Sequence, residues 1–257
     1  MADDKIDHVI QRLINIELKQ NQVLQAASAL GFSGTSDQAF GHFTYAQHGE
    51  DLIVANIFAL IGIRKPTYMD VGAHHPTRGS NTALLYSRGS RGVNIEANPD
   101  LIQEFYKLRP EDISLNVGVG PTSGVLDFYR VDKRSGRNSF DLKTIEEFVK
   151  AYPKFAVEDV VKVKVVTLND VIKENFNGVF PDFLSIDVEG LDYDVLKAAD
   201  FSHSRPKVMC VEVTSGNKSN DHGKISNLMT ERGFLPYIRT WGNTIFVVPE
   251  VLEILKS

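Results

Sequence analysis

Cysteine occurs once, as Cys210, and tryptophan once, as Trp241, in 257 residues. A single cysteine rules out an intramolecular disulfide framework and points to a reducing compartment. No apolar run approaches the roughly 20 residues that a membrane-spanning helix needs. A basic excess is missing too: 28 Lys and Arg stand against 33 Asp and Glu, for a net charge of −5. That is the wrong sign for a dedicated nucleic-acid binder. The opening MADDKIDHVI is acidic and amphipathic, unlike a secretory signal. Also absent is G-x-G-x-x-G, the turn that bares backbone amides to a dinucleotide's pyrophosphate. The expectation is a cytoplasmic protein with no nucleic-acid partner and no membrane span.

What is present begins with 42% hydrophobic residues, enough to fill one large core with an appendage. Ile6, Val9, Leu13, Ile16, Gln20, Val23, Ala27 and Leu30 recur at alternating spacings of three and four. This is the seam of a coiled coil, in which one buried amide fixes register. The reading is an N-terminal heptad helix over 1–31 that makes a homo-oligomer. A helix packed on its own domain is the alternative. Residues 32–43, rich in Gly and Ser, read as a linker. A single large domain is expected over 44–257.

From His48 onward, helix-like and strand-like stretches alternate. EDLIVANIFAL, SNTALLYSRG, DLIQEFYKL, TLNDVIKENF, YDVLKAADF and KISNLMTERGF carry helical patterning. TYMDV, GVNIEA, ISLNVGV, DFLSIDV and KVMCVEV read as strands, and VLDFYRVD and VVKVKVV add β-rich material around a polar excursion. FLPYIRT-WGN-TIFVV reads as a closing hairpin. The alternation predicts an α/β fold, with a mostly parallel sheet covered on both faces.

In such sheets the ligand lies beyond the carboxyl ends of the strands. Four acids fall there: Asp70, Glu96, Asp187 and Glu212. Asp70 is followed by Val71-Gly72-Ala73, small residues that let a ligand approach the backbone, and Asn116 to Gly120 are small enough to flank a flat base. A carboxylate aimed at the first turn repels a diphosphate. It suits a cationic, adenosine-bearing ligand such as S-adenosylmethionine, with Glu96 accepting from the ribose hydroxyls.

QHGEDLIVANIF, DVGAHHPTRGSNTALLY, GVNIEANPDL and FLSIDVEGLDYDVL resemble the FkbM-type family of S-adenosylmethionine-dependent methyltransferases, over about Phe43 to Val248. The resemblance implies a class I methyltransferase (Rossmann-like) fold, seven-stranded with an antiparallel last strand, and O-methylation of a sugar, glycan or other polyhydroxylated acceptor. Carried over by position, Asp70, Gly72 and Ala73 form the first cofactor loop and Glu96 holds the ribose. Ala97 and Asn98 lie beside the adenosine, Val117 and Gly118 near the adenine, Asp187 near the reactive methyl. Gln47 contacts the cofactor or closes the site. This chain departs from many methyltransferases at His75-Pro76-Thr77, where a further glycine is common, so that His74 or His75 comes against the ligand.

A hydroxyl acceptor needs a general base or a divalent cation to lose its proton. Asp187 is the first candidate, joined by Glu212 to hold a magnesium-like ion, with Glu189 as a third ligand or a helix cap. His222 is a candidate base or a solvated loop residue. Arg137, Asn138 and Ser139 line an acceptor cleft or a mobile loop, and Trp241 stacks on a sugar or packs in the hairpin. Tyr193 and Lys197 match the Y-x-x-x-K pair of short-chain dehydrogenases, but no glycine-rich dinucleotide loop accompanies them. The competing reading is a non-catalytic methyltransferase-fold scaffold assembled through the N-terminal helix.

Overall fold

The computed structural model describes residues 44–213 and 221–256. The heptad segment, its linker and the Ser215 end of the loop after the fifth core strand lie outside the described residues. The chain from Thr44 onward forms its own compact unit.

Helix α1 (Glu50–Leu60) precedes β1 (Tyr68–Val71), and α2 (Ala83–Ser87), β2 (Gly92–Ile95), α3 (Ile102–Leu108) and β3 (Ile113–Leu115) follow. An excursion contains β4 (Gly118–Val119), β5 (Gly124–Arg130), α4 (Leu142–Ala151) and β6 (Asp159–Val166). Alternation then resumes with α5 (Leu168–Asn175), β7 (Phe183–Ile186), α6 (Asp192–Ala198), β8 (Val208–Glu212) and α7 (Asp221–Glu231). Strands β9 (Leu235–Arg239) and β10 (Asn243–Val247) and helix α8 (Pro249–Lys256) close the chain.

The main sheet is seven-stranded in the order β3-β2-β1-β7-β8-β10-β9. Pairing is parallel from β3 to β8, and β10 runs antiparallel to both of its neighbours. The expected sheet with an antiparallel last strand is therefore present. Every residue of β1 and β7 is buried, as strands covered by helices on both faces must be. Their apolar side chains join one core with Val54, Phe58, Met209, Phe234 and Phe246. The order reverses between β1 and β7, and a crevice opens at that switch point.

ISLNVGV does not form the single strand its pattern suggests. β3 ends at Leu115, and β4 begins at Gly118 in a different, three-stranded sheet ordered β4-β6-β5. The cause is Asn116, whose side-chain amide donates to the Glu96 and Ala97 carbonyls (2.8 and 3.1 Å). By occupying acceptors beyond the end of β2, it stops the ladder and frees the backbone to turn away. β5 and β6 pair antiparallel along their whole length. Helix α4, within the polar excursion, starts where the Asp141 carboxylate accepts from the Lys143 amide, satisfying one of the free donors of a helix start.

Candidate functional site

The crevice widens into a cavity of about 1550 Å³, lined by Asp70, Glu96, Asp187 and Glu212 among others. All four acids at the strand ends therefore face one space. Gln47, Gly72, Ala73, Ala97, Val117 and Gly118 line it as well.

Glu96 is held from behind. One carboxylate oxygen accepts from the Asn98 amide (2.7 Å) and the other from the His74 amide (2.8 Å). A carboxylate has about four lone-pair sites, so each oxygen keeps acceptor capacity for a hydroxyl. Burial raises its pKa to about 7, against the two amides, which lower it, and Asp70 nearby adds to the rise. Asn98 itself does not line the cavity. It is buried, its side chain donating to the Lys133 carbonyl and accepting from the Asp100 amide, so its part is to fix Glu96.

Asp70 is buried and accepts from the Thr82 hydroxyl at 2.6 Å. Thr82 in turn accepts from both terminal nitrogens of Arg109, each at 3.0 Å. Arg109 is 1% exposed, ion-paired to Asp112 at 2.9 Å and bonded to the Tyr68 hydroxyl at 2.8 Å. Asp70 thus has a cation two bonds behind it and, among the described residues, none in front. Burial still pushes its carboxyl pKa up, ahead of the lowering by Thr82 and Arg109. Arg109, in the unremarkable stretch KLRPED, gave no signal in the sequence, because its partners come from β1, the α2 start and the β3 approach.

Gly72 and Gly118, which line the cavity, are also required by packing within the chain. Gly72 has φ +77, and a β-carbon there would fall 1.7 Å from the Asp187 carbonyl oxygen. It is the backbone of the next strand tip, and not a ligand, that demands the bare position. A β-carbon on Gly118 would strike the Phe140 ring at 2.4 Å.

At the β7 and β8 tips, Asp187, Asp192 and Glu212 each bring one oxygen within 4.8 Å of the others. Asp187 Oδ1 and Glu212 Oε2 are buried without a hydrogen-bond donor, yet the two carboxyls are close enough to share a proton. Burial raises both pKa values and Asp192 raises both further; Asp187 adds to the rise at Glu212, whereas the hydrogen bond between the two carboxyls lowers that of Asp187. Asp192 rather than Glu189 completes this cluster, and it also accepts from the Val188 and Gly190 amides at 3.1 and 3.2 Å. Glu189, at φ +50, points toward Arg137 (3.6 Å).

His74 lines the cavity, its imidazole pKa lowered by burial, while His75 Nδ1 accepts from the Thr77 and Arg78 amides and so shapes the turn. His222 falls within α7, with its side chain outside the described residues. The Arg137 to Ser139 segment is anchored: Asn138 and Ser139 are buried, and the Ser139 hydroxyl donates to the Glu189 carbonyl at 3.1 Å. Trp241 is not hairpin packing, being 80% exposed at the cavity. Tyr193 and Lys197 pair with each other along α6 and do not line the cavity.

A family model described as Methyltransferase FkbM domain matches residues 70–236. No curated protein matches the chain. Among solved structures, a TehB-like SAM-dependent methyltransferase from Corynebacterium glutamicum ATCC 13032 Kitasato is 11% identical, with a TM-score of 0.39 over 90% of this chain and 96% of that one. Burkholderia thailandensis 1,6-didemethyltoxoflavin-N1-methyltransferase, with 1,6-didemethyltoxoflavin and S-adenosylhomocysteine bound, is 12% identical, with a TM-score of 0.37 over 78% and 77%.

Proposed function

The chain belongs to the FkbM methyltransferase domain family, and we propose that it moves the methyl group of S-adenosylmethionine to a hydroxyl of a sugar, glycan or other polyhydroxylated acceptor. The observation that supports this most is the convergence of four carboxylates on one cavity from the tips of β1, β2, β7 and β8. An anionic floor favours a sulfonium and an amine, and disfavours a pyrophosphate. Glu96 takes the ribose hydroxyls, Asp70 with Gly72 and Ala73 borders the methionine end, and Val117 and Gly118 flank the adenine.

When bound, S-adenosylmethionine supplies the methyl group and an activated leaving group. The protein's part is to align the acceptor and take its proton. Asp187 is placed for that proton, since its Oδ1 has no donor of its own. The same oxygens fit a divalent cation: three carboxylates within 4.8 Å are hard ligands of the type magnesium takes. Such an ion, held by Asp187, Glu212 and Asp192, would supply Lewis acidity toward the hydroxyl. The orphaned oxygens also speak against a scaffold without catalysis, because buried unpaired carboxylates destabilise a domain that gains nothing from them.

The test is transfer of a labelled methyl group from S-adenosylmethionine to a panel of cell-envelope glycans and free sugars. Incorporation into a hydroxyl is expected, and incorporation only into amines or carbon would refute the O-methylation reading. Cofactor binding should also depend on pH in a defined direction. Ribose hydroxyls donate to ionised Glu96, whose pKa in the free protein is about 7. Binding must therefore expel a proton below that value, and affinity falls as pH drops. Between pH 7 and 6 the loss is about fivefold. Glu96→Gln should flatten this dependence in calorimetric titrations relative to the wild type.

For the segment 1–31, the heptad seam supports self-association. Removing residues 1–30 is expected to lower the number of subunits measured by light scattering, and an unchanged number would mean that the helix packs on its own chain.

A further inference from the structure

The acids account for one part of the cavity lining; another part has the opposite chemistry. Trp241, in the turn between β9 and β10, carries the largest kind of side chain and is left 80% exposed at the cavity. An indole of that exposure forgoes a large apolar burial. The His48 ring stands 5.7 Å from it, tilted by 57°, and props the indole without covering it. Helix α4 and the turn after it bring a second aromatic group to the same cavity. The Tyr152 and Phe155 rings lie 5.1 and 5.2 Å from Phe148, and all three line the space.

Charge is mixed there: Glu147 also lines the cavity, 3.9 Å from the Lys143 ammonium, and two cations line it too. Lys150 and Lys154 line the cavity, and neither is ion-paired among the described residues. The Lys154 ammonium lies 5.1 Å above the Phe155 ring, a position that holds it near the aromatic group. One cavity therefore combines an acidic floor at the strand tips with an aromatic wall that carries two lysines without an ion pair among the described residues. An acceptor that satisfies both ends must be amphoteric in shape: a ring with a flat apolar face, a neutral hydroxyl toward the acids, and an anionic substituent toward the lysines. A neutral sugar leaves the ammonium groups unused. An anion placed at the floor would be repelled.

Resting on the methyltransferase reading of this cavity, we propose that Trp241, Phe148, Tyr152 and Phe155 form the stacking surface for a sugar ring that bears a phosphate or carboxylate. Lys150 and Lys154 hold that anionic group through charge-assisted hydrogen bonds, and the polarity of the cavity turns a neutral hydroxyl toward Asp187. The acidic floor and basic wall thus select both the substrate class and its orientation.

Because Trp241 is the sole tryptophan, its fluorescence reports this surface directly. Full-length protein saturated with S-adenosylhomocysteine would be titrated with methyl glucoside, glucose 1-phosphate and glucuronate. Both anionic sugars are expected to change the emission at concentrations at least about fivefold below methyl glucoside, and the tighter of the two identifies the preferred anion. A Lys150→Gln, Lys154→Gln double variant should lose this preference while binding S-adenosylhomocysteine as the wild type does. Equal half-saturation for neutral and anionic sugars would overturn the anionic assignment. Normal S-adenosylhomocysteine binding with no emission change from any of the three sugars would overturn the subsite and leave the cofactor reading standing. Failure to bind S-adenosylhomocysteine would instead remove the methyltransferase reading on which the subsite rests.

Discussion

Asp187→Asn is expected to reduce methyl transfer by roughly 10²- to 10⁴-fold, the range for loss of a positioned proton acceptor, while S-adenosylmethionine still binds. The amide keeps the shape of the side chain and its place beyond β7, so that alignment of cofactor and acceptor survives. What it removes is the ability of Oδ1, which has no donor in the free protein, to accept the acceptor's proton. Stability should move the other way. Burial and the neighbouring Asp192 hold the Asp187 pKa above its ordinary value, ahead of the lowering by its hydrogen bond with Glu212. In an unfolded chain the carboxyl ionises freely above about pH 4. The folded wild type therefore binds more protons than the unfolded chain, and this group's contribution to stability falls as pH rises from about 4 through the raised value. An uncharged Asn does not lose stability in that window. Asp187→Asn should melt higher than the wild type at pH 8, with the gap closing toward pH 4. Lost activity together with gained stability is the signature of a site that carries strain for function. Lost activity with lost stability would mark Asp187 as a structural residue.

Gly72→Ala is expected to destabilise the domain by roughly 2–5 kcal/mol. Two costs add: a non-glycine residue at positive φ costs about 1–2 kcal/mol, and forced overpacking typically about 1–3. The geometry puts this substitution at the upper end, since the added carbon would lie 1.7 Å from the Asp187 carbonyl oxygen. The clash is with backbone, so no rotamer change relieves it. β1 and β7 would have to part at their tips, where the Asp187 amide bonds to the Val71 carbonyl at 2.9 Å. A shift there moves the candidate base and the first cofactor turn together. Chemical denaturation should show a lowered midpoint, and cofactor affinity should fall even at temperatures where the variant stays folded. A variant as stable as the wild type would contradict the packing described here.

Much of this fold is written in local periodicity. TYMDV and DFLSIDV are continuous apolar runs between helical patterns, and they became central strands because nothing but burial on both faces suits them. The acids at their ends were legible for the same reason, since a strand that ends in a charge marks where the core stops. What local pattern does not encode is long-range. Arg109 finds its partners in Tyr68, Thr82 and Asp112, a network assembled only by folding. Asn116 breaks a strand through carbonyls 19 and 20 residues earlier. The smallness of Gly72 and Gly118 was visible, but its beneficiary was not: packing within the chain, against Asp187 and Phe140, leaves the same sequence mark as room for a ligand. Asp192 was hidden likewise, since its place at a helix start reads as an ordinary helix-favouring acid until the fold brings it beside Glu212.

On the proposed reading, carboxylates at neighbouring strand tips hold a cationic adenosyl compound. Isothermal calorimetry of S-adenosylmethionine with the wild type, Asp70→Ala and Glu96→Ala tests it most directly. Each variant should lose at least about 1 kcal/mol of binding, the scale of a charge-assisted hydrogen bond. Wild-type affinity retained in both variants would contradict it.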